Sequence, residues 1–308
     1  MKLTSSKLLI FLSFFTIYIV WGSTYLFNKI VVTALPPFFM ASIRFLVSGI
    51  LIMMIAKAMK SDLRITKKQL INCFISSFFF LVYGNGVFVW ALKYLDSGFS
   101  ALVAATQPLF VLILMRLIDR KTMQRQSMIG VALGILGMCL LVNQQSISTS
   151  EGSLLGIFMI LTSVLSWSYG GVFVSKADLP KNFFITTGYQ MLFAGFLLLL
   201  MSFSFKETMI SPLKWSQEVQ FSMLMLVVFG SIIAFTAFNY LLKSVSTEKV
   251  ATSAYVNPII AMILGWYFLD EILTTQSIIA SIVLLTGVYF IASRKRIAKV
   301  QVDEIIKP

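Results

Sequence analysis

Ten stretches of this chain are apolar for long enough to cross the roughly 30 Å hydrocarbon core of a bilayer. They cover residues 8–30, 38–56, 70–91, 99–117, 127–145, 153–174, 183–205, 220–242, 250–268 and 276–293. Inside hydrocarbon each backbone N–H and C=O needs a partner within the chain, and segments of this length meet that demand as helices. The expectation is an all-α membrane protein of ten transmembrane helices. The connections are short, the longest about a dozen residues, so they leave no room for a soluble catalytic or sensing domain. The first run, from about Leu8 to Lys29, is too long for the apolar core of a signal peptide and no small-residue cleavage site follows it, so it reads as the first membrane helix.

Charge gives the orientation. The net charge is +13, with 58% hydrophobic and 12% charged residues. Its Lys and Arg sit between apolar runs, the pattern that orients membrane helices, and not in a patch built to grip phosphates; no nucleic-acid partner is expected. Counted on alternate sides, 20 of the 25 basic residues fall on one face, leaving Lys29, Arg44, Lys93, Lys206 and Lys214 for the other. That asymmetry predicts both termini in the cytoplasm and an even number of crossings. Histidine is absent, which removes the commonest metal ligand and general base, and Cys73 and Cys139 lie apart within apolar runs. No metal, cofactor, disulfide framework or enzyme is expected.

Two segments repeat. Gln107-Pro108 and Asn257-Pro258 each place an amide before a proline near the middle of an apolar run, with alanines upstream at identical spacing, Ala101 and Ala104 against Ala251 and Ala254. Proline removes a helix hydrogen bond and clashes with the preceding turn, so Pro108 and Pro258 mark two helices that are bent or locally opened. The same offset of 150 pairs Lys93 with Lys243, Gln126 with Gln276 and Gly137 with Gly287; an offset of 146 pairs Trp21 with Trp167 and Gly49 with Gly195. The chain therefore divides into a first five-helix repeat (1–150), a second (151–296) and a cytoplasmic tail (297–308). Five is odd, so the repeats cross the membrane in opposite senses, the inverted plan of carriers that alternate access to a site between them.

With Val20-Trp-Gly-Ser-Thr-Tyr25 and Lys29, Ser42-Ile-Arg-Phe45, the Pro108 and Pro258 segments, and Phe268-Leu-Asp-Glu271 leading through Gln276 to Gly287, the chain resembles the drug/metabolite transporter superfamily, specifically its EamA family of ten-helix carriers. The motifs span about residues 10–293. One departure is that Glu271, the acid following the ninth helix, faces Arg120-Lys121 at the matching place in the first repeat. The resemblance implies a bacterial inner-membrane exporter of amino acids or similar small metabolites, without naming the solute.

The residues suggest where a solute would bind. Arg44 enters the second helix by about six residues, roughly 9 Å below its boundary. Either it snorkels to the headgroups or it anchors a substrate carboxylate, with Lys29 near the same surface. No Asp or Glu lies within any of the ten runs, and Asp96 is the closest acid by topology. Trp21, Tyr25 and Asn28 share a helix face; Trp167 and Tyr169, Tyr83 and Asn85, and Asn239 add polar and aromatic groups, which an interfacial belt or interhelical bonding would also explain. Gln107, Asn257 and Tyr255 complete the cavity candidates near the midplane. The small-residue face of Gly130, Gly134 and Gly137 suits packing within the protomer better than a dimer seam, and the sequence is compatible with monomer and homodimer alike. The expected partners are a small-molecule solute and the lipid bilayer. Import or facilitated passage of a sugar or nucleotide-derived solute, or drug efflux, are the alternatives.

Overall fold

The computed structural model describes residues 5–120, 125–142 and 151–292; the 297–308 tail lies outside the described residues. All described secondary structure is helical. Seven helical runs are long and apolar enough to cross a membrane, among them Ser97–Ile118, which spans the Pro108 break, and three shorter apolar helices, Met128–Leu140, Asn257–Leu269 and Thr275–Gly287, accompany them.

Helix α1 (Ser5–Ala34) turns sharply at Pro36, whose extended backbone caps α2 (Pro37–Ala58) with a proline where a helix can start without its N–H. The next run is α3 (Lys67–Ser77), a π-helical stretch π1 (Phe78–Asn85) and α4 (Gly86–Ala91); further on, α10 (Gln217–Met225), π2 (Leu226–Ile233) and α11 (Ala234–Ser244) reproduce that order. The wider π turn leaves carbonyls for neighbours to satisfy. Ser166 Oγ donates to Phe79 O at 2.8 Å in π1, and Trp21 Nε1 donates to Gly230 O at 3.1 Å in π2.

Both proline segments break their helices. Helix α5 (Ser97–Ala104) stops two residues before α6 (Gln107–Asp119), and α12 (Thr247–Val250) passes through a 3₁₀ turn (Ala251–Tyr255) before α13 (Asn257–Leu269). Pro108 has no N–H for the Ala104 carbonyl and Pro258 none for that of Ala254, so each helix restarts at the residue before its proline. The remaining helices are α7 (Arg125–Val142), α8 (Ser153–Lys176), α9 (Phe183–Ser204) and α14 (Thr275–Ala292). Left-handed backbone at a residue other than glycine is uncommon. Here it occurs at Lys60 and Lys206, which end α2 and α9 at the 146 offset, and at Arg120 and Asp270, which end α6 and α13 at the 150 offset.

Packing follows the same pairing. Helices α2 and α9 lie tightly together, as do α7 and α14. A Cβ on Gly49 would meet Leu192 and one on Gly195 would meet Leu46, a reciprocal contact that runs antiparallel; Gly137 faces Leu284 while Gly287 faces Gly134. Small residues let these backbones approach closely. The first helix of each half packs on the other half: α1 lies against α10, α11 and α13, and α8 against π1, α4 and α6. The two resulting groups meet along a central cavity.

Candidate functional site

The cavity holds about 900 Å³ of space between atoms, its mouth included. Of the residues expected there, Trp21, Tyr25, Asn28, Arg44, Asn85, Gln107, Trp167, Asn257 and Pro258 line it. The Tyr255 side chain lies outside the described residues. Pro108 is not itself on the wall, although its helix break is.

Four candidates stand elsewhere. Lys29 extends from α1 and donates from Nζ to the carbonyls of Leu92 and Leu95, both at 2.8 Å, so its ammonium is committed to the end of the neighbouring helix. Tyr83 is exposed beside Phe78, and Tyr169 is exposed against Phe79 at 4.6 Å between ring centres. Asn239 is buried in a separate network, donating to Thr187 Oγ1 at 3.1 Å and Gln190 Oε1 at 2.8 Å. Tyr83, Tyr169 and Asn239 had the right residue type and depth, but on helix faces that do not line the cavity, whereas Lys29 stands near the end of its helix.

Arg44 does not snorkel. It is 4% exposed, its Nε donates to Ser231 Oγ at 2.8 Å and its Nη1 to Asn28 Oδ1 at 3.2 Å, and its guanidinium lies 5.0 Å from the Phe45 ring centre. Asn28 and Ser231 are neutral, and no carboxylate pairs with Arg44 among the described residues. A buried guanidinium is costly without a counter-charge, and here two uncharged acceptors orient it on a cavity wall. Gly230 makes room for it, since a Cβ there would lie 3.2 Å from Nη2.

The opposite requirement, acceptors, is met by groups a side-chain inventory passes over. Ala104 and Ala254, whose carbonyls lost their helical donors to the prolines, both line the cavity. Asn85 lines it as well, and its buried Oδ1 has no partner among the described residues. Ser163, Ser231 and Ser253 are further wall residues that sequence reasoning missed. The 146 offset that pairs Gly84-Asn85 with Gly230-Ser231 was the available signal for Ser231.

Aromatic rings form part of the wall. Trp21 meets Trp167 edge to face at 5.6 Å, Trp167 reaches Phe80 at 5.0 Å, and Phe238 lies 4.9 Å from Trp21. This set joins the two groups of helices across the cavity.

The Gln107 amide has no partner among the described residues. Asn257 behaves differently: in the orientation that satisfies both ends, its Nδ2 donates to the carbonyls of Tyr18 at 2.9 Å, Ser253 at 3.2 Å and Ile17 at 3.3 Å. It ties the broken helix to α1. Asn257→Ala therefore removes a second donor from carbonyls that are already bonded to the main chain, at a cost of about 0.5–1.5 kcal/mol per bond. A melting temperature several degrees lower in detergent is the expected result, and Asn257→Asp, which lacks the N–H donors, should not restore it.

Comparison with known proteins agrees with this architecture. The model of the EamA-like transporter family matches residues 8–143 and again 154–293. The chain is 34% identical over 304 residues to the uncharacterized inner membrane transporter YedA of Escherichia coli (strain K12), covering 96% of each protein. It is 20% identical over 291 residues to the uncharacterized transporter YoaV of Bacillus subtilis (strain 168), covering 94% of this chain and 99% of that one. A solved crystal structure superposes with a TM-score of 0.67 at 17% identity, over 91% of this chain and 94% of that one, which is a likeness of fold alone. With both halves matched and the relatives aligned end to end, the chain belongs to the EamA-like transporter family.

Proposed function

We propose that this protein is an inner-membrane carrier that exports an amino acid or a comparable small metabolite, by alternating access to the cavity between two inverted five-helix repeats (1–150 and 151–296). The single observation that carries the solute class is Arg44, a buried guanidinium held by neutral side chains on the cavity wall and without an acid partner among the described residues. A solute carboxylate supplies the missing charge. The Ala104 and Ala254 carbonyls, Asn85 and the Trp21 and Trp167 faces suit an ammonium group at the other end of a zwitterion.

Ten crossings, with both termini in the cytoplasm, fit the lysine and arginine asymmetry and the seven long and three shorter apolar helices. Inversion of the repeats is supported by the antiparallel, reciprocal glycine contacts between α2 and α9. The name of the Escherichia coli relative supports the inner membrane. Efflux of cationic drugs fits poorly, because like charge at Arg44 repels such a solute.

Cells overproducing the protein are expected to resist one class of toxic amino-acid analogue, with Arg44→Ala abolishing the protection. Equal sensitivity across a broad panel of analogues, with and without the protein, would reject export of this solute class.

A further inference from the structure

We infer that Lys29 and Glu271 together form a charged lock that closes one end of the cavity, the end reached first from outside the cell in the orientation above. The inference rests on the alternating-access reading. Lys29 belongs to α1, and Glu271 follows α13; both lie in the group of helices that contains α10 and α11. Their targets lie on the turn between α4, which packs on α8 of the other group, and α5. Lys29 Nζ donates to the Leu92 and Leu95 carbonyls where α4 ends. Glu271 accepts from the amides that begin α5, Ser97 N at 2.6 Å and Gly98 N at 2.9 Å, and it is 8% exposed.

The turn at residues 92–98 is thus gripped twice. A cation sits on the carbonyls of the arriving helix and a carboxylate on the amides of the departing one, each the sign that its helix end favours. Gly98 meets Met262 of α13 closely just beneath, so backbone contact is sealed where the charges clasp.

Toward the other end of the cavity the contacts between helices are of another kind. There Val111 and Met115 of α6 and Val172 of α8 pack on Ala251 in an apolar seam. At the 146 offset from Lys29 stands Ser175, whose hydroxyl donates to Val172 within its own helix. One end therefore opens by breaking charge-assisted hydrogen bonds and the other by parting methyl groups.

Glu207 isolates the variable. It accepts from the amides that begin α2, Phe38 N at 3.2 Å and Phe39 N at 2.7 Å, with the same chemistry as Glu271. It follows α9 and so joins α2 to α9, two helices already held together along their length by the reciprocal glycine contacts.

The test places a reporter cysteine at cavity residue Ser163 in a chain carrying Cys139→Ser, with buried Cys73 giving the background. A membrane-impermeant maleimide is applied to intact cells and to inverted vesicles. Glu271→Gln, whose amide keeps one acceptor and loses the other, and Lys29→Met are each expected to raise labelling from outside by on the order of tenfold relative to labelling from inside. Glu207→Gln should leave the partition unchanged, and Lys29→Arg should restore it. If the reporter is reached from both faces but neither lock variant shifts the partition, the lock is refuted and alternating access stands. If the reporter is reached from one face only in every variant, alternating access itself is refuted. A shift of equal size in Glu207→Gln would also overturn the lock, because any loosened helix cap would then suffice.

Discussion

Arg44→Ala is expected to reduce transport by two orders of magnitude or more while leaving the protein folded. The loss on the transport side follows from removing the cation from a site built to present it: truncating one partner of a buried charge pair costs about 2–5 kcal/mol, and each 1.4 kcal/mol is tenfold. The stability side runs the other way. Arg44 is 4% exposed and, among the described residues, has Ser231 and Asn28 as its side-chain hydrogen-bond partners, so deleting it relieves a buried charge without an acid partner at the cost of two hydrogen bonds. A melting temperature within a few degrees of the parent, with transport gone, is the expected combination. Arg44→Lys keeps the charge but loses the planar fork that Ser231 and Asn28 orient, and should recover only part of the activity. A variant that loses folding and transport together would instead mark Arg44 as architecture.

Gly195→Ala is expected to be strongly destabilising although it lies outside the cavity. A Cβ at Gly195 would lie 2.7 Å from the Leu46 main-chain nitrogen, and backbone cannot step aside without moving α2 against α9. Overpacking of this kind costs roughly 1–3 kcal/mol. At about 2–4 °C per kcal/mol for a chain of 150–250 residues, melting should fall by several degrees. Gly171 is the control. Its Cβ would find only Thr247 Cγ2 at 3.4 Å and Leu242 Cδ2 at 3.9 Å, ordinary contact, so Gly171→Ala should be close to neutral. Equal melting of the two variants would remove the close α2 to α9 approach from the account.

Much of the fold could be read from the chain because hydrocarbon leaves few choices. Long apolar runs became helices at close to their expected limits, and Pro108 and Pro258 broke two of them for the reason that proline breaks any helix. The π segments were not legible. Their cause is partly tertiary, in side chains such as Ser166 and Trp21 that arrive from other helices to satisfy the opened carbonyls. The same limit applies at the cavity. Depth and residue type singled out Arg44, Asn28 and Asn85, but the same criteria also chose Tyr83 and Asn239, because helix rotation decides which face looks inward and composition hardly encodes it. Glu271 stood out only as an acid with no counterpart in the first repeat. Its role at the start of α5 depends on a contact across 173 or more residues.

Transport of an amino acid set against its decarboxylated amine tests the central claim most directly. Purified protein in liposomes, offered a panel of labelled amino acids and the matching amines, is expected to move at least one amino acid, to leave its amine behind, and to lose that difference in Arg44→Ala. Transport of the amine at the rate of the acid, or a panel in which no amino acid moves while Arg44→Ala leaves cellular export untouched, would contradict a carboxylate site at Arg44.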